Sequence, residues 1–148
     1  MSKLVIGSTS SGKGKDFSVL FKILIREKKN LVVIDPLDEL TITNLYHFKE
    51  KQGYRILKYT LEKEDALQQV EMDFLNPIKE KILIHVSFPK TFWDGAERNS
   101  RLVLEFLQIV RRRQGEEWGK GNSLHLFLME YEGYASPQLN DFLRFESY

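Results

Sequence analysis

A glycine-rich loop near the start of the chain constrains the fold more than any other feature of the sequence. Residues 7–14 read GSTSSGKG, directly after the apolar run Leu4, Val5 and Ile6 and directly before an apolar-periodic segment. Glycines allow backbone amides to turn around a phosphate without Cβ clashes, and the N-terminus of a following helix points to the same place. The order of strand, loop and helix therefore predicts a phosphate-binding loop. The alternative is a flexible turn that contains a lysine.

The whole loop and the lysine after it are expected to contact a nucleotide. These residues are Gly7, Ser8, Thr9, Ser10, Ser11, Gly12, Lys13, Gly14 and Lys15. We expect Lys13 to neutralise charge that builds up between the β- and γ-phosphates, whereas Lys15 is either a second phosphate contact or a surface lysine. Loops of this kind end in Gly-Lys-Ser or Gly-Lys-Thr, whose hydroxyl ligates Mg²⁺. Because Gly14 has no side chain, the chain departs from the pattern at this position.

The composition limits the classes of protein to which this chain can belong. The 148 residues, taken as one domain, suffice for a substantial core, and a net charge of +1 gives no overall nucleic-acid footprint. The absence of cysteine removes disulfides and thiolate metal sites. No apolar run approaches the ~18 residues of a membrane span, and the N-terminus lacks a signal-peptide pattern. We therefore expect a cytoplasmic protein, or one encoded by a virus or mobile element.

Hydrophobic patterning predicts five strands that alternate with helices. The predicted strands are 4–6, 31–34, 55–59, 82–86 and 124–128, and the predicted helices are 17–28, 38–51, 62–70, 96–113 and 137–145, with loops at 74–78 and 115–122. Most strands are continuous apolar runs, which is typical of strands covered on both faces, whereas 55–59 alternates and is expected at the periphery. The pattern predicts an α/β fold of three layers, with a mostly parallel five-stranded sheet and helices on both faces.

Ligands of such sheets bind at the carboxyl ends of the strands, and that edge is expected to hold several polar residues. They are the loop from Gly7 onward, Asp35, Ser87 and Glu130. ATP hydrolysis requires a carboxylate that holds Mg²⁺ and another that orients the attacking water. Asp35 is the metal candidate because it ends an apolar strand near the loop. The alternative is an aspartate that caps the turn at Pro36.

Other polar and aromatic groups have two interpretations each. The run Arg111, Arg112 and Arg113 is expected to be a cationic helix end, or else an arginine offered to a neighbour's phosphate or a patch for the DNA backbone. The histidines lack metal-ligand spacing, and the two within apolar strands are expected to pack; the three are His47, His85 and His125. One aromatic group is expected to pack in the core or a lid, with base stacking as the alternative; it comprises Phe88, Phe92 and Trp93.

Five short segments also occur along the chain in an order that indicates a family resemblance. They are GKG at 12–14, DPLDEL at 35–40, QGYRIL at 52–57, NPI at 76–78 and LFLME at 126–130. In this order they resemble the coupling proteins of conjugation and type IV secretion, P-loop ATPases within the larger class of DNA-translocating and packaging motors. The resemblance covers most of the chain. It implies a P-loop NTPase fold, the cofactors ATP and Mg²⁺, a homo-oligomer or larger motor assembly, and DNA as a partner.

The resemblance assigns Glu130 to the attacking water, and it also marks departures. The family has an Asp-Glu pair where this chain has Met129 and Glu130, and Glu132 is expected to be solvated. Coupling proteins carry a membrane anchor, a large helical insertion after the Asn-Pro element and further sheet elements. The chain therefore resembles a reduced or truncated motor core.

Two other functions remain open at this level. The length suits a small nucleotide or nucleoside kinase with Asp35 at its metal site. Gly14 and Met129 each remove a usual metal-site group, which favours a degenerate P-loop domain that acts as an interaction module without hydrolysis.

Overall fold

The computed structural model describes residues 3–7, 26–27, 29–39, 53–118 and 124–146. Residues 8–15 of the predicted phosphate-binding loop lie outside these ranges, as do most residues of the helices predicted at 17–28 and 38–51. No helix within the described ranges is both long and apolar enough to cross a membrane.

The strands form one parallel sheet. They are β1 (Lys3–Gly7), β2 (Asn30–Ile34), β3 (Arg55–Thr60), β4 (Ile82–Ser87) and β5 (Leu124–Met129). Their order is β1-β5-β2-β4-β3, and every neighbouring pair is parallel. The α/β class and the mostly parallel sheet are therefore confirmed. β3 lies at an edge of the sheet, as its alternating pattern predicts.

Three α-helices are described. They are α1 (Asp65–Asp73), α2 (Ala96–Trp118) and α3 (Pro137–Glu146), and short 3-10 helices occupy Phe92–Asp94 and Tyr131–Gly133. α1 lies three residues further along the chain than predicted, and α3 matches its prediction to within one residue at its end.

The end of α2 corrects the sequence prediction. The helix continues five residues beyond Arg113, so the loop predicted at 115–122 begins too early. Gly115 costs a helix only about 1 kcal/mol, and the preceding turn is held in place. The buried Gln114 side chain accepts a hydrogen bond from the Ile78 amide and donates one to the Ile78 carbonyl at 3.0 Å.

The helix predicted from Asp38 also begins too early. Asp38 and Glu39 are not helical, and Asp38 has a positive φ of 59°. The Asp38 amide donates to the Asp35 carbonyl at 3.0 Å, which closes a turn over Pro36. Proline favours the second position of such a turn, so turn chemistry outweighs helix propensity here.

Both faces of the central strands are buried. One face, which includes Val32 and Ile84, belongs to the same buried core as Phe106 of α2. The side chains of this face alternate with a second buried set, which comprises Leu31, Val33, Leu83, His85 and Phe127. The prediction of helices on the second face concerns segments outside the described residues.

Candidate functional site

The carboxyl ends of the strands place the predicted site residues side by side. Gly7 pairs with Met129, which makes Glu130 the next residue after the partner of the loop's first glycine. Ile34 pairs with Leu128 on one side, and the Asp35 amide donates to the Val86 carbonyl on the other, at 2.8 Å. The start of the loop and the described candidates therefore meet at one edge of the sheet, as predicted.

Asp35 is a buried carboxylate, and two of its partners are among the described residues. Its side chain is 1% exposed. Oδ1 accepts a hydrogen bond from the Glu39 amide at 3.1 Å, which is the turn-capping role considered above. Oδ2 lies 2.9 Å from Nε2 of His85, whose side chain is fully buried. Asp35 therefore both caps its turn and fixes an imidazole.

His85 is packed, as predicted, but its contact with Asp35 was missed. His85 is the one side chain with titratable chemistry in the otherwise apolar run of β4. It pairs in register with Val33, and Asp35 is two residues beyond Val33, which is the same face of the sheet. Because buried polar groups are almost always hydrogen-bonded, the register would have revealed the pair. The sequence alone does not reveal which residues of the two strands pair with each other.

Lys58, Asp38 and Ser87 extend this pair into a network. The Lys58 ammonium donates to Asp38 Oδ1 at 2.8 Å and to Ser87 Oγ at 2.7 Å. Asp38 Oδ1 also lies 3.8 Å from His85 Nε2. Lys58 and Asp38 were not predicted as site residues, although the positive φ of Asp38 is a backbone conformation that often accompanies functional sites.

The group Asp35, Asp38 and His85 can be tested against the chemistry of Mg²⁺. One ligand atom from each residue lies within 4.8 Å of the others. Mg²⁺ prefers oxygen ligands and retains water, so the carboxylates fit it and the imidazole nitrogen does not. His85 instead fits the role of a hydrogen-bonding group that orients the Asp35 carboxylate.

Glu130 lies in a left-handed turn that directs the chain away from β5. Its φ is 51°, and its carbonyl accepts a hydrogen bond from the Gly133 amide at 2.9 Å. Met129 is 2% exposed, and the hydroxyl of the buried Tyr134 donates to its carbonyl at 2.7 Å. The strand end that precedes Glu130 is therefore firmly held.

Glu39 adds another carboxylate, which sequence reasoning missed. Its pKa is raised above 4.5, first by burial and then by the negative charges of Asp35 and Glu130. The charges of Asp35 and Glu130 thus act on Glu39 at this edge. A bound cation would relieve their repulsion.

This mutual repulsion gives a test of the site's geometry. Replacing Glu130 with glutamine should shift the Glu39 pKa downward, part of the way to its ordinary value, because one negative charge is lost and burial remains. Titration of the glutamate carboxyl carbons by NMR would measure the shift. Glu132→Gln removes a matched charge two residues away and should have less effect. An unchanged Glu39 pKa in Glu130→Gln would contradict this arrangement.

The direction of the Glu39 pKa shift determines how the stability of the folded state changes with pH. The folded state disfavours the ionised carboxylate. The stability that Glu39 contributes is therefore fully present below pH 4.5 and is lost as pH rises through the raised value. Because Glu39 is mostly exposed, we expect this effect to be small.

The arginine run does not form a helix end. Arg112 and Arg113 both pair with Glu71 of α1, the latter through Nη2 at 3.0 Å, and Arg111 lies over the Phe142 ring at 5.5 Å. With a rise of ~1.5 Å per residue, Arg113 is about 25 Å along α2 from its start. The predicted helix C-terminus is wrong, and these contacts do not bring the run to the carboxyl edge.

The aromatic group near Pro89 is split between core and surface. Phe88 and Phe92 are buried, as predicted, whereas Trp93 is 78% exposed. His125 is 8% exposed and packs within β5, and His47 lies outside the described residues.

The roles assigned to the loop and to Glu130 remain predictions. Gly7 ends β1, and residues 8–15 lie outside the described ranges. Comparison of the chain with protein families, with curated proteins and with solved structures finds no match.

Proposed function

We propose that this chain is a small P-loop ATPase domain of the three-layer type, with helices on both faces of its sheet. One observation carries the proposal. The pairing of Gly7 with Met129 brings the strand end that enters the glycine-rich loop next to Glu130, and Asp35 follows the neighbouring strand. A phosphate held by the loop would thus have carboxylates on the adjacent strand ends, which is what metal-assisted hydrolysis requires.

Each residue has a distinct role in the proposed reaction. Lys13 and the loop amides hold the β- and γ-phosphates of ATP. Asp35, oriented by His85, provides the carboxylate for Mg²⁺, which supplies positive charge to the phosphate oxygens when bound. Glu130 accepts a proton from a water molecule as the water oxygen attacks the γ-phosphorus. The bond between the γ-phosphorus and the oxygen that bridges to the β-phosphate breaks, and ADP and inorganic phosphate leave.

The resemblance to coupling proteins extends the proposal to DNA translocation or packaging. In this setting the domain works in the cytoplasm as part of a homo-oligomer, and DNA stimulates its turnover. The net charge of +1 requires that any DNA contact come from a local patch. A monomer whose turnover DNA does not affect would contradict the motor assignment and leave the ATPase assignment standing.

Glu130→Gln tests the hydrolytic role directly. We expect steady-state ATP hydrolysis to fall about a hundredfold or more, because loss of a positioned base typically costs 10²–10⁴-fold, while ATP binding is retained. Glu132→Gln is the matched control and should hydrolyse ATP at close to the wild-type rate. Equal rates for wild type and Glu130→Gln would contradict the role of Glu130. A wild type that binds ATP without hydrolysing it would favour the interaction module.

A further inference from the structure

A second candidate site lies between the start of α2 and the start of α3. An open cavity of about 660 Å³ occupies this position. Its lining includes Glu97, Arg98, Ser100, Arg101, Ser136 and Gln138. None of these residues belongs to the carboxylate group at the sheet edge, so the cavity is a separate feature of the molecule.

Arg98 is the unusual cation of this cavity. It is half-buried, and its guanidinium makes no ion pair among the residues that the structure describes. One nitrogen donates to the Glu62 carbonyl, and Nη1 is buried without a hydrogen-bond partner. By contrast, Arg101 pairs with Glu64 at 2.9 Å. Because Arg98 lines an open cavity and has no counter-charge among the described residues, an anion bound in the cavity would supply one.

The rest of the lining suits phosphate oxygens. Ser100 Oγ donates to Ser136 Oγ at 2.6 Å, and Ser136 Oγ accepts the Leu139 amide at 3.0 Å. The 23-residue α2 begins at Ala96, directly after the cavity-lining Gly95, and the first amides of a helix have no partner within it. Glu97 is the one acidic residue in the lining, and Arg101 already pairs with Glu64 and Glu105, so Arg98 is the cation that the lining offers to a ligand. A guanidinium, the Ser136 hydroxyl and helix amides together form a set of donors for an anion.

Trp93 is an exposed aromatic residue that shortly precedes the cavity lining in the chain. It is two residues before the cavity-lining Gly95 and is 78% exposed. Its ring packs edge to face against the ring of the buried Phe92, with centroids 4.6 Å apart, and this contact helps to position the exposed indole. Exposed aromatic rings next to cationic grooves are the usual means by which proteins stack nucleic-acid bases.

We propose that the cavity binds the phosphate of a nucleotide unit whose base stacks on Trp93. The same chemistry is offered by a free mononucleotide and by a unit within a single strand of DNA. The cavity opens to the surface, so it admits either source. The proposal does not depend on ATP hydrolysis at the sheet edge.

The two tryptophans of the chain allow the site to be assigned by fluorescence. Trp118→Phe leaves Trp93 as the reporter, and Trp93→Phe leaves Trp118, which is about 33 Å along α2 from Ala96. Both variants would carry Lys13→Ala, so that the predicted ATP site does not contribute to the signal. Each would be titrated with thymidine monophosphate and with a short oligodeoxythymidine.

We expect Trp93 fluorescence to change on titration and Trp118 fluorescence to remain constant. Arg98→Gln should weaken binding about tenfold or more, and Arg112→Gln, the same charge loss about 21 Å along the same helix, should change it about twofold or less. Trp93→Ala, a substitution at an exposed position, should weaken binding of a labelled oligonucleotide by about tenfold.

The two probes also separate the sources of the ligand. Binding of the oligonucleotide alone identifies single-stranded DNA, and binding of the monophosphate alone identifies a free nucleotide, as a kinase acceptor would be. The proposal is overturned if neither probe changes Trp93 fluorescence. It is equally overturned if Arg98→Gln and Arg112→Gln weaken binding to the same extent.

Discussion

Replacing Asp35 with alanine is expected to lower the free energy of unfolding by about 3 kcal/mol. The substitution removes the carboxylate that lies 2.9 Å from the fully buried His85 ring, and it also removes the acceptor of the Glu39 amide. Loss of the acceptor at 2.9 Å leaves the buried Nε2 with Asp38 Oδ1 at 3.8 Å, which is beyond hydrogen-bond distance, so much of the desolvation cost of the imidazole is uncompensated. Urea denaturation followed by circular dichroism would measure the loss.

A double-mutant cycle isolates the contact itself. Combining Asp35→Ala with His85→Phe should give a coupling free energy above about 1 kcal/mol, because the two groups share one buried contact. The same cycle on Arg101 and Glu64, whose side chains are 49% and 67% exposed, should give less than about 1 kcal/mol. A coupling near zero for Asp35 and His85 would show that the pair does not form.

Replacing Lys13 with alanine is expected to weaken ATP binding about a hundredfold or more. Hydrogen bonds to charged groups contribute ~1.5–3 kcal/mol each, and every ~1.4 kcal/mol corresponds to a factor of ten in affinity. Loss of an ammonium that contacts two phosphates therefore removes most of the affinity. Because the neighbouring Gly14 offers no hydroxyl, the loop has little to replace it.

The matched control for this substitution is Lys79→Ala. Lys79 is exposed and precedes β4, which places it toward the amino edge of the sheet, away from the loop. Lys79→Ala removes the same charge as Lys13→Ala. Equal effects of the two substitutions on ATP binding would therefore indicate a general electrostatic contribution and contradict a specific contact of Lys13 with phosphate.

The apolar runs were sufficient to predict the strands and their direction. β2 and β4 read as continuous apolar segments, and both are buried on each face. The alternating β3 lies at the edge, as expected. The hydrophobic pattern predicts these strands because a strand that is covered on both faces must itself consist mainly of apolar residues. The positions of Asp35 and Glu130 at strand ends followed directly.

The contacts between strands could not be predicted from the sequence. β5 lies between β1 and β2, although at least 89 residues of the chain lie between it and either strand. This order brings Glu130 next to Gly7, and the β2–β4 register brings His85 to Asp35. Similarly, the extension of α2 through Gly115 depends on the tertiary hydrogen bonds of Gln114, which override local propensity.

Titration calorimetry of ATP binding, with and without Mg²⁺, tests the central claim most directly. It would be performed on the wild type, Lys13→Ala and Lys79→Ala. The proposed site predicts that the wild type and Lys79→Ala bind ATP, that Mg²⁺ strengthens this binding, and that Lys13→Ala loses it. No heat of binding to the wild type, or equal binding by wild type and Lys13→Ala, would contradict a nucleotide site at this edge of the sheet.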